Sequence, residues 1–436
     1  MSDKIEYQNI IVVGASIGGH TLANQIYPHL PPTHRVLLVD ALGFAFWPIA
    51  AFRAATVSGW ENKITIPLTN DRVFPDGTPH RVLAPNKLVE CKENSVILEQ
   101  PFEGSNEVPF WVDDREKRCI IATGTTQQPP MVPDLNWTEE QYKECLRQNQ
   151  QELKEAKEVV IIGGGSVGIE FAGDIREVNS EAKITIVHPE SALLNPTPKN
   201  PVLAKTSTTP SYNSPPVDIR LSKTLEEHCH KLNISLIFND RVAIPLKDER
   251  VPDDAWQGKY GKQPKVVEVA LKSGRKLKAD YVILGAGTSP NSWMIGDKDK
   301  GALDGKLIRV DDYLKVSSTD ENSLFKGQYY AIGDVCSAPG FKVARGAYTA
   351  AYNAASNIKN ELKGRSLIKY SPGMQGLGIP VGHREGAGML TLPWFGNWVF
   401  SSTLITMQRG KTLGVPKHFT GSFEGPNKVK ITFDDV

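Results

Sequence analysis

"IIGGGSVGIE", residues 161–170, runs from an apolar strand through a glycine-rich turn into the start of a helix. Gly163, Gly165 and Gly168 fall at the spacing G-x-G-x-x-G. In such a unit the first glycine permits a tight turn, the second lets the backbone approach a pyrophosphate, and the third lets helix pack on strand. Ser166 opens the helix, where unbonded N–H groups favour phosphate. A unit of this kind normally begins a nucleotide-binding domain, yet it starts more than a third of the way along a chain of 436 residues. Another such unit should precede it.

The N-terminal stretch "NIIVVGASIGGHTLANQIY" (9–27) supplies one. Gly14 and Gly19 occupy the first and third glycine positions, with Gly18 beside Gly19, and Ser16 stands where the second glycine is expected. "RVLLVD" follows and ends at Asp40, 21 residues past Gly19, where a carboxylate can accept from a ribose hydroxyl. The second copy has "KITIVH" there and ends at His188. A carboxylate would repel a 2′-phosphate and histidine would not, so tolerance of both NADH and NADPH is expected. "RCIIATGTT" (118–126), with Ala122, Thr123 and Gly124, and "YVILGAGTSPN" (281–291), with Gly287, repeat a strand running into glycine. Two units with the same order of parts are an internal duplication. "YYAIGD" (329–334) ends at Gly333-Asp334, suited to the ribitol or pyrophosphate side of FAD.

The expected fold class is α/β: two nested Rossmann-like dinucleotide-binding domains and a small C-terminal α+β segment. Residues 1–127 and 291–366 would form the FAD-binding domain, 128–290 the NAD(P)H-binding domain, and 367–436 the C-terminal segment. FAD would meet Gly14, Ser16, Gly18, Gly19, Asp40, Ala122, Thr123, Gly124, Gly333 and Asp334. The nicotinamide cofactor would meet Gly163, Gly165, Ser166, Gly168, His188 and Gly287. The proline- and Ser/Thr-rich stretch 193–219 reads as a disordered surface excursion, and 246–265 as an extended hairpin.

Lys+Arg at 50 nearly balances Asp+Glu at 49, which gives no long-range field for nucleic acid. Five scattered cysteines show neither C-x-x-C nor zinc spacing, so no metal is expected and buried inert thiols in a reducing compartment fit best. The N-terminus carries no signal-peptide core, Ser2 excludes myristoylation, and no run approaches the roughly 20 apolar residues of a membrane span. A cytoplasmic protein is expected, monomer or homodimer, peripheral at most to a membrane or lipid droplet and not secreted. "LTLPWFGNWVF" (390–400) carries Trp394, Phe395, Trp398 and Phe400. Such a cluster suits a peripheral membrane contact or a core wedge between domains equally.

"VVGASIGG…VD", "IIGGGSVGIE" and "YAIGD", with "IIATG" between the first two, resemble the two-dinucleotide-binding-domain flavoproteins of glutathione-reductase-like fold. "PIAAFRAATVSG" (48–59), "FKVARGAYTAAYNAASNI" (341–358) and "KYSPGMQGLGIPVGHREGAG" (369–388) resemble the apoptosis-inducing-factor-like branch, in particular its ferroptosis suppressor protein members. The resemblance covers nearly the whole chain. It implies bound FAD, oxidation of NADH or NADPH, and transfer of electrons to a quinone such as ubiquinone. It places Arg53 near the FAD pyrophosphate and Lys342 near the flavin. Glu170 would face the nicotinamide–flavin contact. The plainer readings are a surface Arg, a surface Lys, and a helix-start Glu favoured by the macrodipole. Ser16 departs from the pattern, and 193–219 has no counterpart in it. Residues 41–60 hold no cysteine, which removes disulfide reduction and argues against sulfide–quinone chemistry. The rival readings are reduction of a protein electron carrier or a specialised metabolite, and a redox-sensing flavoprotein of low turnover.

Overall fold

The computed structural model of the protein describes residues 7–111, 118–196, 215–246, 251–285, 287–392 and 394–423. Two five-stranded sheets organise it. The first contains β1 (Gln8–Val13), β2 (His34–Val39), β3 (Arg81–Leu83), β4 (Cys119–Ile121) and, from far along the chain, β10 (Tyr329–Ala331). Its order is β10-β4-β1-β2-β3, and every pairing is parallel. Parallel sheets are covered on both faces, which is why "IIVV", "VLLV" and "CII" are unbroken apolar runs rather than alternating ones.

The second sheet contains β5 (Glu158–Ile162), β6 (Lys183–Val187), β7 (Ile234–Ile237), β8 (Gly261–Ala270) and β9 (Lys276–Leu284). Its order is β7-β6-β5-β9-β8. Three pairings are parallel, and β8 runs antiparallel to β9. The antiparallel hairpin therefore spans 261–284 rather than the expected 246–265. The earlier segment, where described, is mostly irregular chain pinned by Trp256, which is buried among Val267, Val269 and Val282. Most of the stretch 193–219 lies outside the described residues.

Six helices matter below: α1 (Ile17–Ile26), α2 (Ala51–Ala54), α3 (Glu139–Glu155), α4 (Ser166–Val178), α5 (Ile219–Lys231) and α6 (Ala344–Leu362). Thr138 starts α3 with a reciprocal cap: its hydroxyl accepts the Gln141 N–H, and Gln141 accepts the Thr138 N–H. The alanines of α6, among them Ala347, Ala350, Ala351 and Ala354, are buried against the Gly-rich start of α1. Small residues on both helices let them approach closely.

The chain passes between sheets on two short strands, Thr125–Thr126 and Ser289–Pro290, which pair antiparallel. Beyond α6, the antiparallel sheet β11 (Gly376–Val381), β12 (Glu385–Leu392) and β13 (Gly396–Phe400) leads to short helical turns ending at Phe423. This matches the expected α/β class with a small C-terminal α+β segment.

Candidate active site

The two glycine turns share one geometry. Gly14 has φ +101° and Gly163 φ +111°, a region that L side chains rarely adopt. A Cβ on Gly19 would lie 1.8 Å from the Gly14 carbonyl oxygen, and one on Gly168 would lie 2.1 Å from that of Gly163. The first and third positions thus admit only glycine. Gly18 is under no such demand, since its Cβ would find ordinary contacts from 3.6 Å outward. The second position differs. Gly165 and Ser16 both have φ −79° with extended ψ, which any residue adopts. Around Gly165 a Cβ would meet only the Gly285 carbonyl oxygen, at 3.9 Å. The space is open, so the glycine there gives room for a close approach and Ser16 takes some of that room without strain. No side chain caps α1 or α4, and their first N–H groups remain for a ligand. Ser166 is exposed at the mouth of the second turn.

Asp40 and His188 occupy equivalent places. Asp40 Oδ2 accepts the Ala15 N–H at 2.6 Å and Oδ1 the Leu42 N–H at 2.8 Å. His188 Nδ1 accepts the Gly164 N–H at 3.1 Å, the matching bond one residue after the first glycine. An accepting Nδ1 carries no proton, so Nε2 holds it and donates to Asn195 Oδ1 at 2.7 Å. His188, expected to govern cofactor choice, also braces the turn. Burial pushes the Asp40 carboxyl above its ordinary range, against the two backbone N–H groups that hold it down.

Ala122–Gly124 sits against the first turn: a Cβ on Gly14 would come within 2.4 Å of the Ala122 carbonyl oxygen. Asn291, which local sequence gave little reason to single out, ties this strand end to the return strand. Its Nδ2 donates to the Thr123 carbonyl at 2.9 Å, its N–H to that of Gly124 at 3.0 Å, and its own carbonyl accepts from Thr123 Oγ1 at 2.8 Å. Gly287 is exposed just past β9 with φ +86°. Gly333 turns with φ +77° into a short helical turn carrying Asp334. Burial raises the Asp334 carboxyl, and the Lys342 charge opposes that rise. Lys342 Nζ donates to the Ala338 carbonyl at 2.9 Å, so this lysine is folded back on its own loop at the N-terminal end of α6.

Glu170 is buried on the first turns of α4. Arg53, expected beside the FAD pyrophosphate, has other partners. Its Nε donates to Asp174 Oδ2 at 2.5 Å, its Nη1 to the Gly410 carbonyl at 3.0 Å, and its guanidinium lies 5.4 Å from the Trp60 ring centroid. Asp174 lies 121 residues away, and nothing local to Arg53 marks it.

All five cysteines are free, and Cys145 alone is half-buried. Burial pushes the Cys91 thiol up to about 12 and that of Cys145 to about 11, so neither is a ready thiolate. Among the described residues no group of three or more His, Cys, Asp or Glu could hold a metal, and no helix is long and apolar enough to cross a membrane. The aromatic segment is not a core wedge. Trp394 is 99% exposed and Phe395 87% at the tip between β12 and β13, with Trp398 half-exposed behind them. Pro393 lies outside the described residues.

Comparison with known proteins agrees with this geometry. Residues 8–357 match the family model described as pyridine nucleotide-disulphide oxidoreductase. The chain is 27% identical to ferroptosis suppressor protein 1 of Xenopus laevis over 423 residues, covering 96% of this chain and 97% of that one. It is 25% identical to an FAD-dependent oxidoreductase of Flammulina velutipes, over 82% of this chain and 94% of that one. Among solved structures, the NAD-dependent persulfide reductase from A. fulgidus superposes with a TM-score of 0.60 at 18% identity. That match covers 89% of this chain and only 64% of the reductase, and it speaks to the fold.

Proposed function

The chain belongs to the pyridine nucleotide-disulphide oxidoreductase family, and from that premise we propose that it is an FAD-dependent NAD(P)H oxidoreductase with a quinone as electron acceptor. The observation that carries the reading is the pair of matching turns, one braced by a carboxylate and the other by an uncharged ring. The first suits FAD: Asp40 keeps lone pairs for ribose hydroxyls, and the α1 N–H groups face a pyrophosphate. The second suits NADH or NADPH, because His188 stands where the first turn has a carboxylate. The residues fit both groups. Each turn demands glycine at its first position by its positive φ and at its third by contact, while the space around Gly165 is open.

The redox chemistry belongs to the bound flavin and nicotinamide, and the net reaction consumes one proton with NAD(P)H and quinone to give NAD(P)+ and quinol. The chain binds, orients and sets charge. Glu170 orients the nicotinamide end, from the helix that holds its phosphates. Lys342 and the N-terminal end of α6 place positive potential where negative charge develops. Asn291 holds the crossing strand between the two nucleotide sites. The lack of a reactive thiol pair favours a quinone over a disulfide.

A long-tailed quinone has to be met at lipid. We place that contact at Trp394 and Phe395. Trp394 has φ +73° as well as near-complete exposure, and a bulky residue in that region stores strain. Two large rings held in water on a strained turn fit a peripheral membrane foot. The test is direct. The purified protein should be yellow, bleach on anaerobic addition of NADH, and consume NADH steadily with a water-soluble quinone. Glu170→Ala should keep its FAD and bleach at least about tenfold more slowly, a 1.4 kcal/mol effect. A colourless protein that FAD cannot reconstitute would sink the proposal, and bleaching without turnover on quinone would favour a redox sensor.

A further inference from the structure

Arg53 and Asp174 come from different parts of the molecule. Arg53 lies on α2, which falls in the chain between β2 and β3 of the first sheet. Asp174 lies on α4 of the second, one helical turn beyond Glu170. Asp174 is 0% exposed and Arg53 4%. They meet through a single contact, Nε to Oδ2, while Nη1 reaches the Gly410 carbonyl of the C-terminal segment. Arg53 Nη2 and Asp174 Oδ1 are buried and have no hydrogen-bond partner among the described residues. The neighbouring positions of α4 are gripped as well. A Cβ on Gly173 would lie 2.3 Å from the Gly382 nitrogen. Glu177 accepts the His383 N–H and pairs with His383 Nδ1, both at 2.5 Å.

Stability does not account for this pair. Desolvating two charges consumes much of their attraction, and well-packed apolar groups often replace a buried pair without loss. Two unbonded buried polar atoms add a further penalty. What a charge pair offers over an apolar contact is a fixed distance and direction. We infer that Arg53 and Asp174 form a registry clamp, fixing α4 and its Glu170 at one distance from the flavin-binding unit. They are positioning residues, and the inference rests on the nucleotide assignment proposed above. The charged groups facing Asp174 are Arg53 from α2, Glu177 on its own helix, and His383 from the turn between β11 and β12. Burial raises the Asp174 carboxyl to about 6 despite Arg53. Below that pH the acid half of the clamp loses its charge.

Three variants of the full-length flavoprotein test it: Asp174→Glu, Asp174→Asn, and the double variant Arg53→Met with Asp174→Leu. The measurements are melting temperature, FAD content, NAD+ affinity by calorimetry, hydrogen exchange over 166–178, and flavin bleaching by NADH across pH. The clamp predicts that the double variant melts no lower than wild type and keeps its FAD. Its α4 amides should exchange faster, and it should bleach at least about tenfold more slowly at saturating NADH, since a shift of about 1 Å in a positioned group costs that much or more. Wild type should lose rate below about pH 6, Asp174→Asn should lose that limb, and Asp174→Glu should recover it in part. Wild-type exchange and rate in the double variant would overturn the inference. So would a lower melting point with FAD loss in the double variant, which would make the pair an ordinary stabilising contact. If wild type itself does not bleach with NADH, the proposed function fails, while melting and exchange still judge the clamp.

Discussion

His188 accepts the Gly164 N–H as Asp40 accepts that of Ala15, so for holding a turn the two side chains are interchangeable. They differ in the charge presented to a ribose. His188→Asp should therefore keep the turn, lose the bond to Asn195, and move the NADH-to-NADPH ratio of kcat/KM toward NADH by about tenfold or more, 1.4 kcal/mol. Wild type should use both within about tenfold. An unchanged ratio in the variant would mean that another residue sets the choice. At this scale the sequence was informative where a residue answers to its immediate neighbours. Gly14, Gly19, Gly163 and Gly168 are demanded by their own turns, and the spacing alone identifies them. It was silent where the partner comes from elsewhere. The brace that His188 provides needs the folded loop, and the Asp174 partner of Arg53 needs both sheets in place. Even the departure at Ser16 reads differently once the backbone is known, because its φ makes no demand for glycine.

At the scale of elements, strands that run into glycine were legible because burial on both faces removes polar residues from them. The hairpin of 261–284 was harder to read. Its own turn is tight, with the Leu271 N–H donating to the Arg275 carbonyl and Gly274 at φ +89°, but a register shift between Lys262 and Val267 breaks the pattern of β8. The β12–β13 hairpin is the clearest case. Composition left its aromatics equally suited to a core or an interface, and only the pairing of Leu392 with Gly396 puts Trp394 and Phe395 beyond the last bonded pair. Trp398 and Phe400 pack together at 5.0 Å behind the tip, and Arg220 of α5 donates to the Asn397 carbonyl. The tip is thus held by a braced stem. Replacing Trp394 and Trp398 together by alanine should lower binding to neutral liposomes and slow reduction of a long-tailed quinone more than a water-soluble one, with FAD content unchanged. Equal loss on both quinones, or loss of FAD, would return these rings to a structural role.

For the whole molecule, acid should be destabilising. His20 is buried in a stack with Phe423 at 3.8 Å, and His80 is buried where its Nδ1 accepts the Val36 N–H. Burial lowers the first to about 3 and the second to about 4, the latter helped by Arg81. An unfolded chain titrates both near 6.5, so below that pH it binds protons the native state refuses. Stability is full above about pH 6.5 and declines as pH falls toward those lower values. Asp174, gaining as it protonates through about 6, acts oppositely together with the likewise raised Asp40 and Asp334, and these offset part of the decline. Melting temperatures at pH 7.5, 6.5 and 5.5 should fall at the acid end, and His20→Phe should flatten the slope. A flat wild-type profile, or an unchanged slope in that variant, would contradict this. The order β10-β4-β1 in the first sheet has one more consequence. β4 leaves the ribosome about 200 residues before the strand that completes its edge. At roughly 5–20 residues per second, that edge stays unpaired for about 10–40 s of synthesis, long enough for a neighbouring nascent chain to add a strand of its own. In the second unit the longest such wait, from β5 to β9, is about 115 residues, roughly half as long, and it ends before β10 is made. The younger half of the polypeptide can thus finish folding before the older half.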